Sequence, residues 1–226
     1  MARLVVLGYT GYAGGRITAE ALRRGHEVIG VSRSSQITPE DLKTPDHPAP
    51  TPDRLITRSG SVHDPAFLAD VSTGADVLVI AIPARPIDGQ QLVDAMPTLT
   101  QVARDNNLRL AVAGGAGSLL TKPDGPRLVD TPEFPATAKP EATSHAQVLE
   151  AFRALPEDVD WFYVSPGASF GSNTPGERRG RFRIGGDILL TDDEGNSFIS
   201  GDDYATAFLD EIERPEHHRT RFTIAY

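Results

Sequence analysis

The chain contains no cysteine, which excludes disulfides, thiolate metal sites and a cysteine nucleophile and fits a reducing compartment. It also lacks any long run of lysine and arginine, and its net charge is −9. Such a surface repels phosphate backbones, so nucleic acid is not an expected partner. The densest basic cluster is Arg178, Arg179, Arg181 and Arg183, and cations on an expected hairpin read as a solvated face. No apolar stretch approaches the roughly 20 residues that cross a bilayer. The first residues run straight into Arg3-Leu4-Val5-Val6-Leu7, without a charged-then-apolar leader. No membrane partner is expected, and the cytoplasm is the expected location. Metal ligands are not evident either. There is no H-E-x-x-H, His217-His218 has no carboxylate at useful spacing, and the acidic run from Asp192 has Ser197 where an EF-hand needs glycine.

What is present is an alternation of short apolar strands with longer amphipathic stretches. Six segments read as buried parallel strands: Leu4–Leu7, Val28–Val31, Arg54–Thr57, Val77–Ile82, Leu110–Ala113 and Trp161–Val164. They are continuous apolar or β-branched runs, as required when helices cover both faces of a sheet. Ala13, Ile17 and Ala21 share one face of a first helix. Leu92, Ala95, Met96, Leu99, Val102 and Ala103 stripe another, with Pro97 kinking it or marking a late start. Ala142, Ala146 and Leu149 mark a third. Five prolines in 38–52 make that stretch a surface loop, with room for a weak short helix.

Such alternation implies right-handed crossovers and an α/β, doubly wound parallel sheet. The 226 residues, 39% of them apolar, suit a single domain over 1–226. Residues 166–226 change pattern and are expected to supply a small substrate-pocket region. There Arg181–Leu190 and Ser197–Ser200 read as a hairpin about a glycine-containing turn, then a helix runs from about Asp202 to Glu213, then a short strand from Arg221 to Ala225.

Gly8, Gly11 and Gly14 follow the first strand at once and open the first helix. Glycines there let the backbone approach a pyrophosphate, and the helix N-terminus offers free N–H groups and partial positive charge. The turn Gly8-Tyr9-Thr10-Gly11-Tyr12-Ala13-Gly14 is therefore the candidate phosphate cradle of a dinucleotide. An acid at the end of the second strand would hold the ribose 2′-hydroxyl of NAD. Here the chain reads Ser32-Arg33-Ser34-Ser35. Arg33 is placed to pair with a 2′-phosphate and Ser34 to donate to it, which favours NADP(H) over NAD(H). Ser61 and Val62 are candidate adenine contacts, and Ala81, Ile82 and Pro83 should pass the ribose. Gly114 and Gly115 can approach the nicotinamide, and Lys139 could reach a ribose.

The glycine spacing, G-x-x-G-x-x-G, resembles that of the extended and atypical short-chain dehydrogenases. With Ala113-Gly114-Gly115-Ala116-Gly117-Ser118-Leu119, Arg127–Pro132, Lys139-Pro140-Glu141-Ala142, Ser165-Pro166 and Gly185–Ala205, the chain resembles the NmrA-like, NADH-flavin-reductase-type group. That resemblance implies an NAD(P)-binding Rossmann fold, with Ser165 and Pro166 at the cofactor. It also implies reductase activity toward flavins or quinone-like acceptors, although some relatives act as cofactor sensors. Where the group often carries Asp after the third-strand glycine, this chain has Ser61.

The Tyr-x-x-x-Lys pair of typical short-chain dehydrogenases is missing: no lysine has a tyrosine four residues upstream, and Pro135 precedes Lys139 at that distance. Carbonyl reduction by that route is disfavoured. With a flavin acceptor, hydride goes to a ring nitrogen and the remaining proton equilibrates with water, so a dedicated acid is less essential. Ser118 and His145 are the candidate catalytic helpers. Gly167-Ala168-Ser169-Phe170-Gly171 matches a nucleophile elbow, but Ser172–Gly176 reads as loop where the elbow demands a helix. The expected activity is thus an NADP(H)-dependent reductase for a small conjugated acceptor such as a flavin or quinone, acting as a monomer or homodimer. The alternative is a non-catalytic NADP(H) sensor.

Overall fold

A computed structural model describes residues 1–33, 38–42 and 52–226. Ser34, Ser35 and most of the proline-rich stretch lie outside the described residues, which include a 3₁₀ turn at Pro39–Leu42.

The first strand, β1 (Arg3–Leu7), leads through the glycine turn into α1 (Tyr12–Arg23), and β2 (Glu27–Ser32) follows. Then come β3 (Leu55–Ser59), α2 (Pro65–Ser72), β4 (Val77–Ile80), α3 (Met96–Asn106), β5 (Arg109–Ala113), α4 (Lys139–Arg153) and β6 (Trp161–Pro166). The last elements are β7 (Arg183–Gly185), α5 (Gly201–Glu213) and β8 (Thr220–Ala225). One sheet carries all eight strands in the order β3-β2-β1-β4-β5-β6-β8-β7. Every pairing is parallel except β7 with β8. The order reverses between β1 and β4, and crevices at such a switch point bind ligands in open α/β sheets.

Alternate residues of each strand enter opposite layers. Val5, Leu7, Leu78, Ile80, Leu110, Val112 and Trp161 pack with Leu68 of α2, Leu99 and Val102 of α3, and Phe152 of α4. Leu4, Val6, Val77, Val79, Phe162, Phe222 and Ile224 pack with Ile17 of α1 and Tyr204, Phe208 and Leu209 of α5. Both faces are therefore dry, which is why the central strands read as unbroken apolar runs. Pro97 sits in the first turn of α3, after a 3₁₀ turn at Leu92–Ala95, so it marks a late start.

Two expectations fail. The third strand is not buried. It forms one edge of the sheet, and Ile56 is 55% exposed. The hairpin does not form, although the turn at Asp192–Asn196 does, with Asp192 N–H on the Asn196 carbonyl at 2.8 Å. Instead β7 pairs with β8, where Ile184 stands opposite Ile224. The segment beyond it is held by Leu120, which exchanges backbone bonds with Asp187 and Leu189 at 2.8 Å. The open edge of β8 and the Leu120 backbone take the bonds that Ser197–Ser200 was expected to supply.

Candidate functional site

A cleft of about 310 Å³ lies over the carboxyl ends of β1, β2, β3 and β4. Its walls include Gly8, Thr10 and Gly11 of the glycine turn, Arg33 after β2, Ser61, Val62 and His63 after β3, and Ala81, Ile82 and Pro83 after β4. Backbone bonds hold these strand ends in step. Gly8 N–H donates to the Val31 carbonyl at 2.8 Å, Ala81 N–H to Leu7 at 2.9 Å, and Gly60 N–H to Ser32 at 3.0 Å.

The glycine turn is shaped for backbone contact. Gly8 has φ +85°, a left-handed conformation, and a Cβ there would strike the Ala81 carbonyl. A Cβ at Gly14 would strike the Gly8 carbonyl, so this glycine lets α1 start hard against β1. The helix begins without help from side chains. Its N-cap is Gly11, no side chain caps it, and its first turn carries no acid. By contrast, Asp64 caps α2 and Ser200 caps α5. The first amides of α1 have no intrahelical acceptor, and the N-cap Gly11, at the positive end of the helix dipole, lines the cleft. A cradle of glycine backbone, uncapped amides and a cation at the β2 end fits the pyrophosphate and phosphate groups of a dinucleotide.

The wall opposite β2 is a strap, residues 84–92, running from the end of β4. Ile87 N–H bonds the Gln90 carbonyl at 2.9 Å and Gln90 N–H returns to Ile87 at 3.1 Å. The two residues between, Asp88 and Gly89, have φ of +53° and +82°. Both central residues at positive φ make a two-residue hairpin turn, for which Asp-Gly is a favoured pair. At its tip the Asp88 carboxylate pairs with Arg33 Nη1 at 3.0 Å, spanning the cleft mouth.

Beyond the cleft, over β5 and β6, lies a chain of polar groups, with Tyr163, Ser165 and Arg221 buried and the other polar side chains half-buried or exposed. Tyr163 Oη is 3.2 Å from His145 Nδ1 and accepts Gly115 N–H at 3.1 Å. His145 Nε2 is 3.2 Å from Glu141, which also accepts the Ala84 N–H at 2.7 Å and Arg85 Nη1 at 3.0 Å. Burial pushes the Glu141 carboxyl upward, but hydrogen bonds from His145, Ala84 and Arg85 outweigh it and hold the group at about 2. Burial raises the Tyr163 phenol, which stays a neutral donor. On the other side, Ser165 Oγ donates to the Gly115 carbonyl at 3.0 Å. Arg221 Nη1 reaches the hydroxyls of Ser118 and Ser165 at 3.2 and 3.3 Å, and its Nε donates to Asp187 at 2.6 Å.

The structure thus divides the residues expected at the cofactor. Gly8, Thr10, Gly11, Arg33, Ser61, Val62, Ala81, Ile82 and Pro83 converge on the cleft. Tyr12, Ala13 and Gly14 form the first turn of α1. The Tyr12 ring turns toward the C-terminal segment, against Phe170, with its hydroxyl on the Pro175 carbonyl at 3.2 Å. Gly115 belongs to the polar chain, and a Cβ at Gly114 would strike the Tyr163 ring. Ser165 is buried within β6, and Pro166 pairs with Ile224 of β8. Lys139 is exposed at the start of α4 and lines a separate shallow depression with Pro86 and Gln91, on the far side of the strap. Ser34 lies outside the described residues.

Ser118 and His145 lie toward opposite ends of this chain, each held by a partner that sequence reasoning missed. A tyrosine inside a buried strand and an arginine in the last apolar strand both demand partners, and Glu141 stands one helical turn before His145. Those were the available signals. The fold agrees with setting the elbow aside: Ser169 does not open a helix, and its N–H bonds the Ser197 carbonyl at 2.8 Å. Of the basic cluster, Arg179 stacks on Tyr226 at 4.0 Å and Arg183 donates to the Thr191 carbonyl.

A doubly wound sheet with a glycine cradle at its switch point defines a dinucleotide-binding protein of the Rossmann class. A family model described as NAD(P)H-binding matches residues 8–215, and the chain belongs to that family. Among curated proteins it is 33% identical to the uncharacterized protein YwnB of Bacillus subtilis over 98% of this chain and 97% of that one. Three solved structures resemble it over their whole length. A candidate NADH-flavin reductase from Streptococcus pneumoniae is 30% identical, covers 100% of this chain and 99% of its own, and has a TM-score of 0.82. A candidate epimerase from Bacteroides thetaiotaomicron is 33% identical, with 100% and 97% covered and a TM-score of 0.84. A protein from Burkholderia pseudomallei named as a candidate exported protein is 35% identical, with both chains covered in full and a TM-score of 0.80. No helix of the described residues is long and apolar enough to cross a membrane.

Proposed function

We propose that this protein is an NADP(H)-dependent oxidoreductase that delivers hydride to a flavin, quinone or similar small conjugated acceptor. The observation that carries the reading is the uncapped N-terminus of α1 facing a cleft with Arg33 at the end of β2. The amides of the α1 first turn would take the pyrophosphate, and Arg33 the 2′-phosphate. Ser61, Val62, Ala81, Ile82 and Pro83 would enclose the adenosine half. The cofactor, when bound, supplies the hydride.

Gly115 is the contact proposed for the nicotinamide side, and its position is fixed at both peptide groups. Tyr163 accepts its N–H and Ser165 donates to its carbonyl. His145 lies against it: a Cβ at Gly115 would be 3.5 Å from the imidazole. Glu141, 3.2 Å from Nε2, fixes the orientation of the His145 imidazole beside the proposed reacting face. Ser118 Oγ accepts from Arg221, which leaves its own proton free to donate toward an acceptor. Residues 166–226 would wall the acceptor side, and the cytoplasm is the proposed compartment.

The name borne by the S. pneumoniae relative supports a flavin acceptor. The test is steady-state oxidation of NADPH and NADH with FMN, riboflavin and a soluble quinone. Turnover with NADPH and at least one of these is expected. Tight NADPH binding with no turnover across the panel would overturn the reductase reading in favour of a dinucleotide sensor. The engagement of both His145 nitrogens by Tyr163 and Glu141 is the feature that favours that second reading.

A further inference from the structure

We propose that Asp88 is an internal competitor for the 2′-phosphate of NADP(H), so that the strap tip sets how strongly the cleft prefers a phosphorylated cofactor. The inference rests on the proposed placement of that phosphate at Arg33. It starts from a difference between the two ends of the strap. The base is held firmly: Glu141 accepts the backbone N–H groups of Ala84 and Arg85, at 2.7 and 3.3 Å, and the Arg85 guanidinium. The tip is held by its own turn and by the Asp88–Arg33 pair, whose side chains are 87% and 60% exposed. A pair that open to water contributes little, so it can be exchanged cheaply.

The exchange has a definite chemistry. Arg33 presents one guanidinium to the cleft, and a carboxylate already occupies its Nη1. A 2′-phosphate can make a charge-assisted bond there only by displacing or crowding Asp88, and the two anions repel at that distance. An unphosphorylated ribose carries no such charge. NADH can enter with the Arg33–Asp88 pair intact and the strap tip still tied across the cleft mouth. NADPH must displace or crowd the clasp. Asp88 therefore lowers affinity for NADP(H) while leaving NAD(H) nearly untouched, and strap closure differs between the two complexes.

The experiment is calorimetric titration of wild type, Asp88→Asn, Arg33→Gln and the double variant with NADPH, NADH and 2′,5′-ADP. Asparagine tolerates the positive φ of position 88 better than most residues, so the turn is preserved. Asp88→Asn should bind NADPH and 2′,5′-ADP about two- to fivefold more tightly, with NADH unchanged, and the gain should shrink in the Arg33→Gln background and at high salt. If Arg33→Gln selectively weakens NADPH but Asp88→Asn binds it as wild type does, the competitor role is overturned and the phosphate placement stands. If Arg33→Gln binds NADPH as wild type does, the placement itself is wrong and the proposal falls with it.

Discussion

Tyr163 and His145 meet through a phenolic oxygen and Nδ1 3.2 Å apart, at a point in the sheet where Tyr163 is fully buried and water cannot replace its partner. The same oxygen accepts the Gly115 N–H. Tyr163→Phe would keep the ring packing and remove both bonds. It should destabilise the protein by about 1–3 kcal/mol, the cost of leaving buried polar groups unsatisfied. Chemical denaturation would read this directly; a loss below about 0.5 kcal/mol would show the phenol to be dispensable.

Glu141 makes stability depend on acid. Its folded value is held at about 2, below the ordinary value of 4.5. A depressed carboxylate contributes stability above its unfolded value and loses it as pH falls through the window from 4.5 toward 2. Glu141→Gln should therefore be less stable than wild type at neutral pH, by on the order of 2 kcal/mol. The gap should close between pH 4.5 and 2. Parallel pH–stability curves would contradict the assignment.

Arg221 joins the C-terminal strand to the segments carrying Asp187, Ser118 and Ser165. Its guanidinium is buried, and burial lowers its pKa from the ordinary value. Arg221→Met retains bulk and removes the donors, leaving two hydroxyls and a half-exposed carboxylate without it. A loss of about 2–4 kcal/mol is expected from thermal unfolding, less than a fully buried pair would cost because Asp187 faces water.

Arg33→Ala should weaken NADPH by about two- to a hundredfold, one charge-assisted hydrogen bond's worth of about 1.5–3 kcal/mol less the roughly 0.2–1 kcal/mol cost of displacing Asp88. NADH should change little. Equal weakening of both, by titration, would defeat the 2′-phosphate assignment.

The sheet was largely legible because helices bury both its faces, which leaves continuous apolar strands such as Val77–Ile80. The glycine turn was legible because its backbone geometry needs glycine at Gly8 and Gly14 whatever the surroundings. What failed to show depends on distant partners. β7 finds β8 rather than its neighbour in sequence, since any open edge can satisfy a strand. Arg54–Thr57 reads as an interior strand, yet the place of Leu55–Ser59 in the strand order makes it an edge. Tyr163 and Arg221, which hold His145 and Ser118, sit on other elements, 18 and 103 residues away. Asp88-Gly89 is a favoured turn pair that went unread, and its reach to Arg33 shows only in the fold.

Whether the bare N-terminus of α1 holds the dinucleotide phosphates is tested most directly by Gly11→Asp. Gly11 has φ −82° and ψ 173°, an extended N-cap conformation that aspartate favours. The new carboxylate should cap α1 and complement its dipole, which offsets the tight 3.3 Å approach of a Cβ there to the Gly8 carbonyl, so thermal stability should stay near that of wild type. It would also occupy the amides offered to phosphate and repel it. Titration of wild type and Gly11→Asp with NADPH should show affinity falling at least about tenfold in a fully folded variant. Unchanged NADPH affinity in Gly11→Asp would contradict the account.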